Sequence, residues 1–236
     1  MPISQQSHRP VEHPRTDLHV ERSAQDREYR IELVRKAIHF CSIVIPLLYL
    51  ETTKSVALTI LIPLTVVFII VDVSRYYFPP LGNIFYKIFG PLLRKHESDS
   101  HQKKLNGATY VLIAATISVT VFPKLIAVTA FIILIISDMM SALVGKRFGR
   151  HKFFDKSLEG SIAFFLSATI VVLATPKIAY LPGEYAIGFF SAAIGALVEA
   201  LPIGIDDNIT IPLCVGSVMW VAYNLFYPAM NLYQLG

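Results

Sequence analysis

The chain alternates between long apolar runs and short polar connections, and that alternation predicts its architecture. Apolar runs cover residues 36–50, 55–73, 108–122, 125–144, 158–175, 185–202 and 209–227. An α-helix needs about 20 such residues to cross a hydrocarbon layer about 30 Å thick. The pattern therefore predicts an all-α, polytopic transmembrane bundle of about seven spans. No run shows the strict alternation of a membrane-barrel strand. Between the second and third runs, 76–107 is the longest connection. There Leu81, Ile84, Phe85, Ile88, Phe89, Leu92 and Leu93 recur at helical spacing, opposite Lys87 and Arg94. Such a segment reads as an amphipathic helix lying flat at the membrane interface. Residues 27–37 read as a helix at the interface that leads into the first span. The residues before them are rich in Pro, Arg and Glu, so 1–29 is expected to be a disordered cytosolic tail and 30–236 a single transmembrane domain.

Composition supports the membrane reading, with 54% hydrophobic residues and a mean hydropathy of +0.54. Charge adds an orientation. Of the 21 Lys and Arg residues, all but Lys54, Lys124 and Lys177 lie in 1–36, 75–104 and 146–156. Seven spans with a cytosolic amino terminus put all three basic segments on one face, as the positive-inside rule requires. The pI near 9.0 is thereby accounted for without a nucleic-acid partner. Cys41 and Cys214, the two cysteines, both fall in predicted spans. They make neither a disulfide framework nor a zinc spacing, and packing is their expected role. No cleavable signal peptide is visible, because the first 30 residues lack an apolar stretch and a small-residue cleavage site.

Several acids interrupt this apolar pattern. On the predicted topology Asp72, Asp138, Glu199, Asp206 and Asp207 all fall at cytosolic ends of spans. Asp138 lies six residues before Val144, or about 9 Å along a helix. A carboxylate there costs roughly 2.5–3.5 kcal/mol on insertion scales, so a Lys or Arg partner or a metal ion must offset it. A lone acid can simply be half of an ion pair that ties the bundle together. Several acids at one depth argue instead for a site. Lys146, Arg147, Arg150, Lys152 and Lys156 crowd the loop that follows, among Gly145 and Gly149. The bases alone serve topology and anionic lipid. With the glycines they would let backbone N–H groups approach a polyphosphate. Mg²⁺ takes one or two carboxylates along with phosphate oxygens, so the combination suggests a metal-bound nucleotide. The spacing is not that of a Walker A loop. Further on, Asn208 or Asp207 is expected to cap the last helix.

Three segments together resemble the polyprenol kinase family, which includes dolichol, phytol and farnesol kinases and the CTP-dependent diacylglycerol kinase. The first is Arg35-Lys36-Ala37-Ile38-His39. The second is Asp138-x-x-Ser141-x-x-x-Gly145, then Gly149 and Lys156-Ser157-Leu158-Glu159-Gly160-Ser161. The third is Glu199-Ala200-Leu201-Pro202-x-Gly204-x-Asp206-Asp207-Asn208. A weaker fourth is Leu93-Arg94-Lys95-His96-Glu97, leading to Asn106-Gly107. The likeness covers roughly 30–230. Many relatives have Gly-Asp where this chain has Ser137-Asp138.

The resemblance implies an enzyme, a kinase that moves the γ-phosphoryl of CTP to the hydroxyl of a membrane lipid alcohol at the cytosolic face. It implies that Asp138 holds Mg²⁺ and the nucleotide phosphates, and that Lys156, with Lys146 or Arg147, neutralises the transferring group. Glu159, Gly160 and Ser161 shape the loop, with Ser157, Gly145 and Gly149 beside them. Asp206 and Asp207 contribute either to the metal or as base for the hydroxyl, Glu199 joins the metal set, and Arg35, His39 and Asn208 lie near the nucleotide. Phosphoryl transfer depends mostly on positioning and charge stabilisation, which suits this inventory. The nearest alternative is a phosphatidate cytidylyltransferase, whose late Gly-His-Gly-Gly signature is absent here. A small ion-coupled transporter is more remote, because the acids gather at one end and no repeat is evident.

Overall fold

The computed structural model describes residues 30–31, 33–90 and 104–233. The 1–29 tail and the Leu93–Glu97 motif lie outside these residues. The described chain forms eight helices and one short hairpin. These are α1 (Leu33–Glu51), α2 (Lys54–Tyr77), α3 (Pro79–Phe89), α4 (Gly107–Val121), α5 (Lys124–Phe148), α6 (Leu158–Ala174), α7 (Pro182–Ala200) and α8 (Asp207–Phe226). Seven of them correspond to the seven predicted runs, and α3 to the predicted interfacial helix. By length and composition α1, α2, α5 and α8 can cross a membrane. The apolar helices α4 and α6 are shorter, at 15 and 17 residues.

The central element is α5, buried without a break from Leu125 to Ile135. A helix that is apolar all round has no amphipathic stripe and belongs in the middle of a bundle. Around it pack α1, α4, α6 and α8, and α7 closes the ring between α6 and α8. The outer helices carry exposed apolar stripes. On α6 these are Ile162, Leu166, Ile170 and Leu173, three or four residues apart on one face. Such a stripe is stable against lipid and not against water. In α3, Leu81 and Ile84 are likewise exposed.

Local sequence sets the helix ends. Thr53 caps α2 by accepting a bond from Val56 N, and Asn106 caps α4 by accepting one from Thr109 N at 3.0 Å. Pro46 has no N–H for the helical ladder. Just before it α1 tightens, with Ser42, Ile43 and Ile45 each bonded three residues back.

Asp72, one of the five acids predicted to gather at the cytosolic end, has a structural partner. Its Oδ1 lies 3.1 Å from Arg75 Nε, and its Oδ2 accepts the backbone N–H of Asn106 at 2.6 Å. Arg75 continues the network to Lys104 O and stacks against Phe85. One buried pair thus joins the end of α2 to the start of α4 and to α3. Removing one partner of a buried pair strands the other charge. Asp72→Ala is therefore expected to destabilise the fold by about 3 kcal/mol or more, read as a lower unfolding temperature in detergent.

Candidate active site

The helical period brings the second motif into one line. Asp138, Ser141, Ala142, Gly145 and Lys146 are spaced i, i+3, i+4, i+7 and i+8 along α5, a single stripe. That stripe forms one wall of a cavity of about 330 Å³, within the range of small-molecule sites. Lys36 of α1, Asp155, Lys156 and Ser157 of the loop after α5, Glu199 of α7 and Asp207 of α8 complete it. Segments distant in sequence meet here because the amino-terminal ends of α1, α6 and α8 and the carboxyl-terminal end of α7 lie together beside this part of α5.

The loop owes its shape to a two-residue hairpin that periodicity cannot reveal. Strands β1 (Lys152–Phe153) and β2 (Lys156–Ser157) pair antiparallel, with Lys152 opposite Ser157 and Phe153 opposite Lys156. Phe154 takes the left-handed turn position at φ 51°. The hairpin docks through Asp155 N to Ala200 O at 3.2 Å. Glu159 steadies its entry, with Oε1 2.8 Å from His151 Nδ1. Ser157 then caps α6 by accepting from Gly160 N at 3.1 Å. These bonds fix the stem from which Lys156 reaches inward.

Two lysines meet three carboxylates in the cavity. Lys36, 6% exposed, forms an ion pair and hydrogen bond with Asp138, also 6% exposed. His39, one turn further along α1, places Nε2 4.0 Å from the same carboxylate. The expected compensating partner of Asp138 is therefore Lys36. Of the α1 candidates His39 reaches Asp138, whereas Arg35 is half-buried beside Lys36 and outside the cavity lining. The i, i+3 spacing of Lys36 from His39 was a signal for Lys36, but the i, i+4 spacing of Arg35 from His39 matched it.

Lys156 Nζ sits 3.1 Å from Glu199 Oε1 and 3.0 Å from Asp207 Oδ2. Burial acts to lower its pKa, but Asp207, Glu199 and Asp138 outweigh that and hold it above the usual lysine range. Lys156 is thus an ammonium at neutral pH. Ser141, another residue absent from the predicted set, donates to Glu199 Oε1 at 3.0 Å. Glu199 is 1% exposed, and its second oxygen, Oε2, has no hydrogen-bond partner.

Other predicted residues take different roles. Asp206, and neither Asn208 nor Asp207, caps α8, its Oδ1 accepting from Asn208 N at 3.0 Å. The helix starts at Asp207, so that carboxylate is released from capping and faces Lys156. Asp206 stands outside the cavity lining, and Asn208 is buried in the first turn of α8. Gly145 and Gly149, expected to let backbone approach a polyphosphate, and Gly160, expected to shape the loop, all sit in close contact with neighbouring atoms. A Cβ on Gly160 would lie 3.0 Å from Ser141 O and 3.3 Å from Gly145 Cα, and one on Gly149 would lie 2.8 Å from Ser157 Cβ. They let α5 and α6 touch where the cavity wall begins. Ser161 is buried in the first turn of α6. Arg147 is exposed and stacks on Phe148, whereas Lys146 lines the cavity rim.

Among the described residues no group of three or more His, Cys, Asp or Glu could enclose a metal ion unaided. A divalent cation here would need ligand oxygens besides one or two carboxylates, which is the habit of Mg²⁺ with phosphates. The fold and the cavity therefore define an all-α membrane protein whose bundle converges on a charged site at one end.

Comparison with known proteins makes the class specific. The CTP-dependent diacylglycerol kinase 1 of Saccharomyces cerevisiae is 30% identical over 209 residues, covering 77% of this chain and 70% of that protein. Its namesake in Schizosaccharomyces pombe is 28% identical over 167 residues, 64% of this chain and 73% of that protein. The dolichol kinase of Schizosaccharomyces pombe is 32% identical over 91 residues, 36% of this chain and 17% of that protein. No family model matches the chain, and no solved structure gives a significant match. The chain belongs to the polyprenol kinase family of lipid-alcohol kinases.

Proposed function

We propose that this protein is a membrane lipid kinase that transfers the γ-phosphoryl of CTP to the hydroxyl of a lipid alcohol at the cytosolic face. The observation that carries the proposal is the meeting of Asp138, Glu199 and Asp207 with Lys36 and Lys156 in one cavity at the end of the bundle. The CTP assignment follows the names of the two diacylglycerol kinases. The cytosolic assignment follows the basic residues, which are dense in the 146–156 segment at this end. An interfacial site suits a reaction between a soluble nucleotide and a lipid hydroxyl.

The residues fit a divalent cation, because Glu199 buries a carboxylate oxygen without a partner at the cavity wall. Asp138 and Glu199 would hold Mg²⁺ together with phosphate oxygens. When bound, Mg²⁺ neutralises charge on the transferring group. Lys36 holds Asp138 in place, and Lys156 and Lys146 supply positive charge for phosphate oxygens. The lipid oxygen forms a bond to the γ-phosphorus as the bond from that phosphorus to the bridging oxygen breaks, and CDP leaves. Asp207, the most accessible of the three carboxylates, accepts the hydroxyl proton.

Purified protein in detergent, given mixed lipid alcohols and CTP labelled at the α or γ phosphate, tests this directly. Label from γ in lipid is the expected result, and the labelled alcohol identifies the substrate. Label from α after addition of phosphatidate would mean nucleotidyl transfer and overturn the assignment. Orientation is separately testable. With Cys41 and Cys214 replaced, Arg150→Cys should react with an impermeant maleimide from the cytosolic side only, and Lys124→Cys from the opposite side only.

A further inference from the structure

Lys156 answers two carboxylates that come from different helices, Glu199 at the end of α7 and Asp207 at the start of α8. Without a cation between them these acids would repel in a poorly solvated site. Lys156 meets that need from a long, flexible side chain that remains 36% exposed. Glu199 does not depend on it for position, because Ser141 holds the same oxygen from α5 at 3.0 Å. The other oxygen of Glu199 is buried without a partner, a costly arrangement unless something else binds there. A lysine that can leave, beside a carboxylate that stays fixed with one oxygen unused, describes an exchange site.

We infer that Lys156 is an exchangeable counter-ion that holds Glu199 and Asp207 until a cation-bearing triphosphate enters. It then releases Glu199 to the divalent cation and turns its ammonium to a phosphate oxygen. The same movement uncovers Asp207, leaving that carboxylate able to take the hydroxyl proton. The inference rests on the kinase reading of this cavity and adds an order to its events. A divalent cation arriving alone must displace the ammonium from Glu199 and leaves it one carboxylate, Asp207, where it had two. A cation arriving with a triphosphate brings a phosphate oxygen to replace the one lost. Cation and nucleotide therefore bind with positive coupling, and each strengthens the other by the same factor.

The test is Mn²⁺ binding to the purified full chain in detergent, followed by electron paramagnetic resonance. Titrations are run with and without β,γ-methylene CTP, and the protein-free Mn²⁺–nucleotide signal is subtracted. The wild type should bind Mn²⁺ weakly alone and between about 5- and 150-fold more tightly with the analogue. Lys156→Met should bind Mn²⁺ alone more tightly than the wild type by a factor in the same range, with most of the coupling lost. Adding Glu199→Gln to Lys156→Met should remove that gain, and Lys156→Arg should keep the wild-type pattern. If Lys156→Met binds Mn²⁺ alone no better than the wild type, the exchange does not occur. Should Lys156→Met fail to fold, recovery by Mn²⁺ but not by NaCl of equal ionic strength supports the inference, and no recovery overturns it. Wild-type transfer of γ label without the Lys156→Met gain would sink the exchange alone. Absence of γ transfer would sink the kinase reading beneath it.

Discussion

Asp138→Ala is expected to lower phosphoryl transfer by about 10³-fold or more, the scale seen when a charge-stabilising group is lost from such a site. Asp138 stands on the inner stripe of α5 and faces the cavity together with Ser141 and Gly145. Its loss also strands Lys36, 6% exposed, with its ion-pair partner gone. An unpaired buried ammonium costs about 3–5 kcal/mol, so lost activity in this variant alone is ambiguous. Lys36→Met with Asp138→Leu resolves it. Replacing a buried pair by apolar residues of similar size is often neutral or stabilising. The double variant should unfold near the wild-type temperature in detergent and still transfer no γ label to lipid. Normal turnover in the single variant, or recovery of activity along with stability in the double one, would remove Asp138 from the chemistry.

The legible part of this protein was its one-dimensional pattern. Seven apolar runs became seven helices, and an i, i+3, i+7 motif on α5 became a cavity wall, because helical period converts spacing into facing. What the pattern could not show was pairing between segments far apart. Asp138 required a cation, but only the fold selects Lys36 over its neighbour Arg35, by turning the Lys36–His39 face of α1 toward α5. Asp72 resembled the site acids in depth, yet Arg75 one turn away and Asn106 at the start of the neighbouring α4 satisfy it. Asp206 and Asp207 are adjacent and chemically alike. A helix boundary one residue wide separates their roles, making the first a cap and the second a cavity carboxylate. Boundaries at that resolution depend on the Gly204 turn at φ 76° and the break after Ala200, which propensity places only within a few residues. The hairpin at 152–157 was illegible for a simpler reason, since two-residue strands have no period to detect.

The glycines yield the second large effect, and it separates packing from chemistry. Gly160 has no charge and stands in the first turn of α6, but a Cβ there would meet Ser141 O at 3.0 Å and Ser157 Oγ at 3.0 Å. Ser141 O is backbone of the central helix and cannot rotate away. A methyl group therefore moves α6 by a few tenths of an ångström, and a branched side chain moves it further. Ser157, which caps α6, is joined directly to Lys156, so the displacement passes to the ammonium between Glu199 and Asp207. Misplacing a reacting group by about 1 Å can reduce rate 10²-fold, whereas overpacking costs about 1–3 kcal/mol of stability. Gly160→Val is accordingly expected to remain folded, with a modestly lower unfolding temperature, while kcat falls on the order of 10²-fold. Gly160→Ala should lie between Val and the wild type in both measures. If Gly160→Val loses stability but keeps its kcat, the α5–α6 contact supports the bundle without positioning Lys156, and the hairpin holds that lysine by its Ala200 and His151 bonds alone.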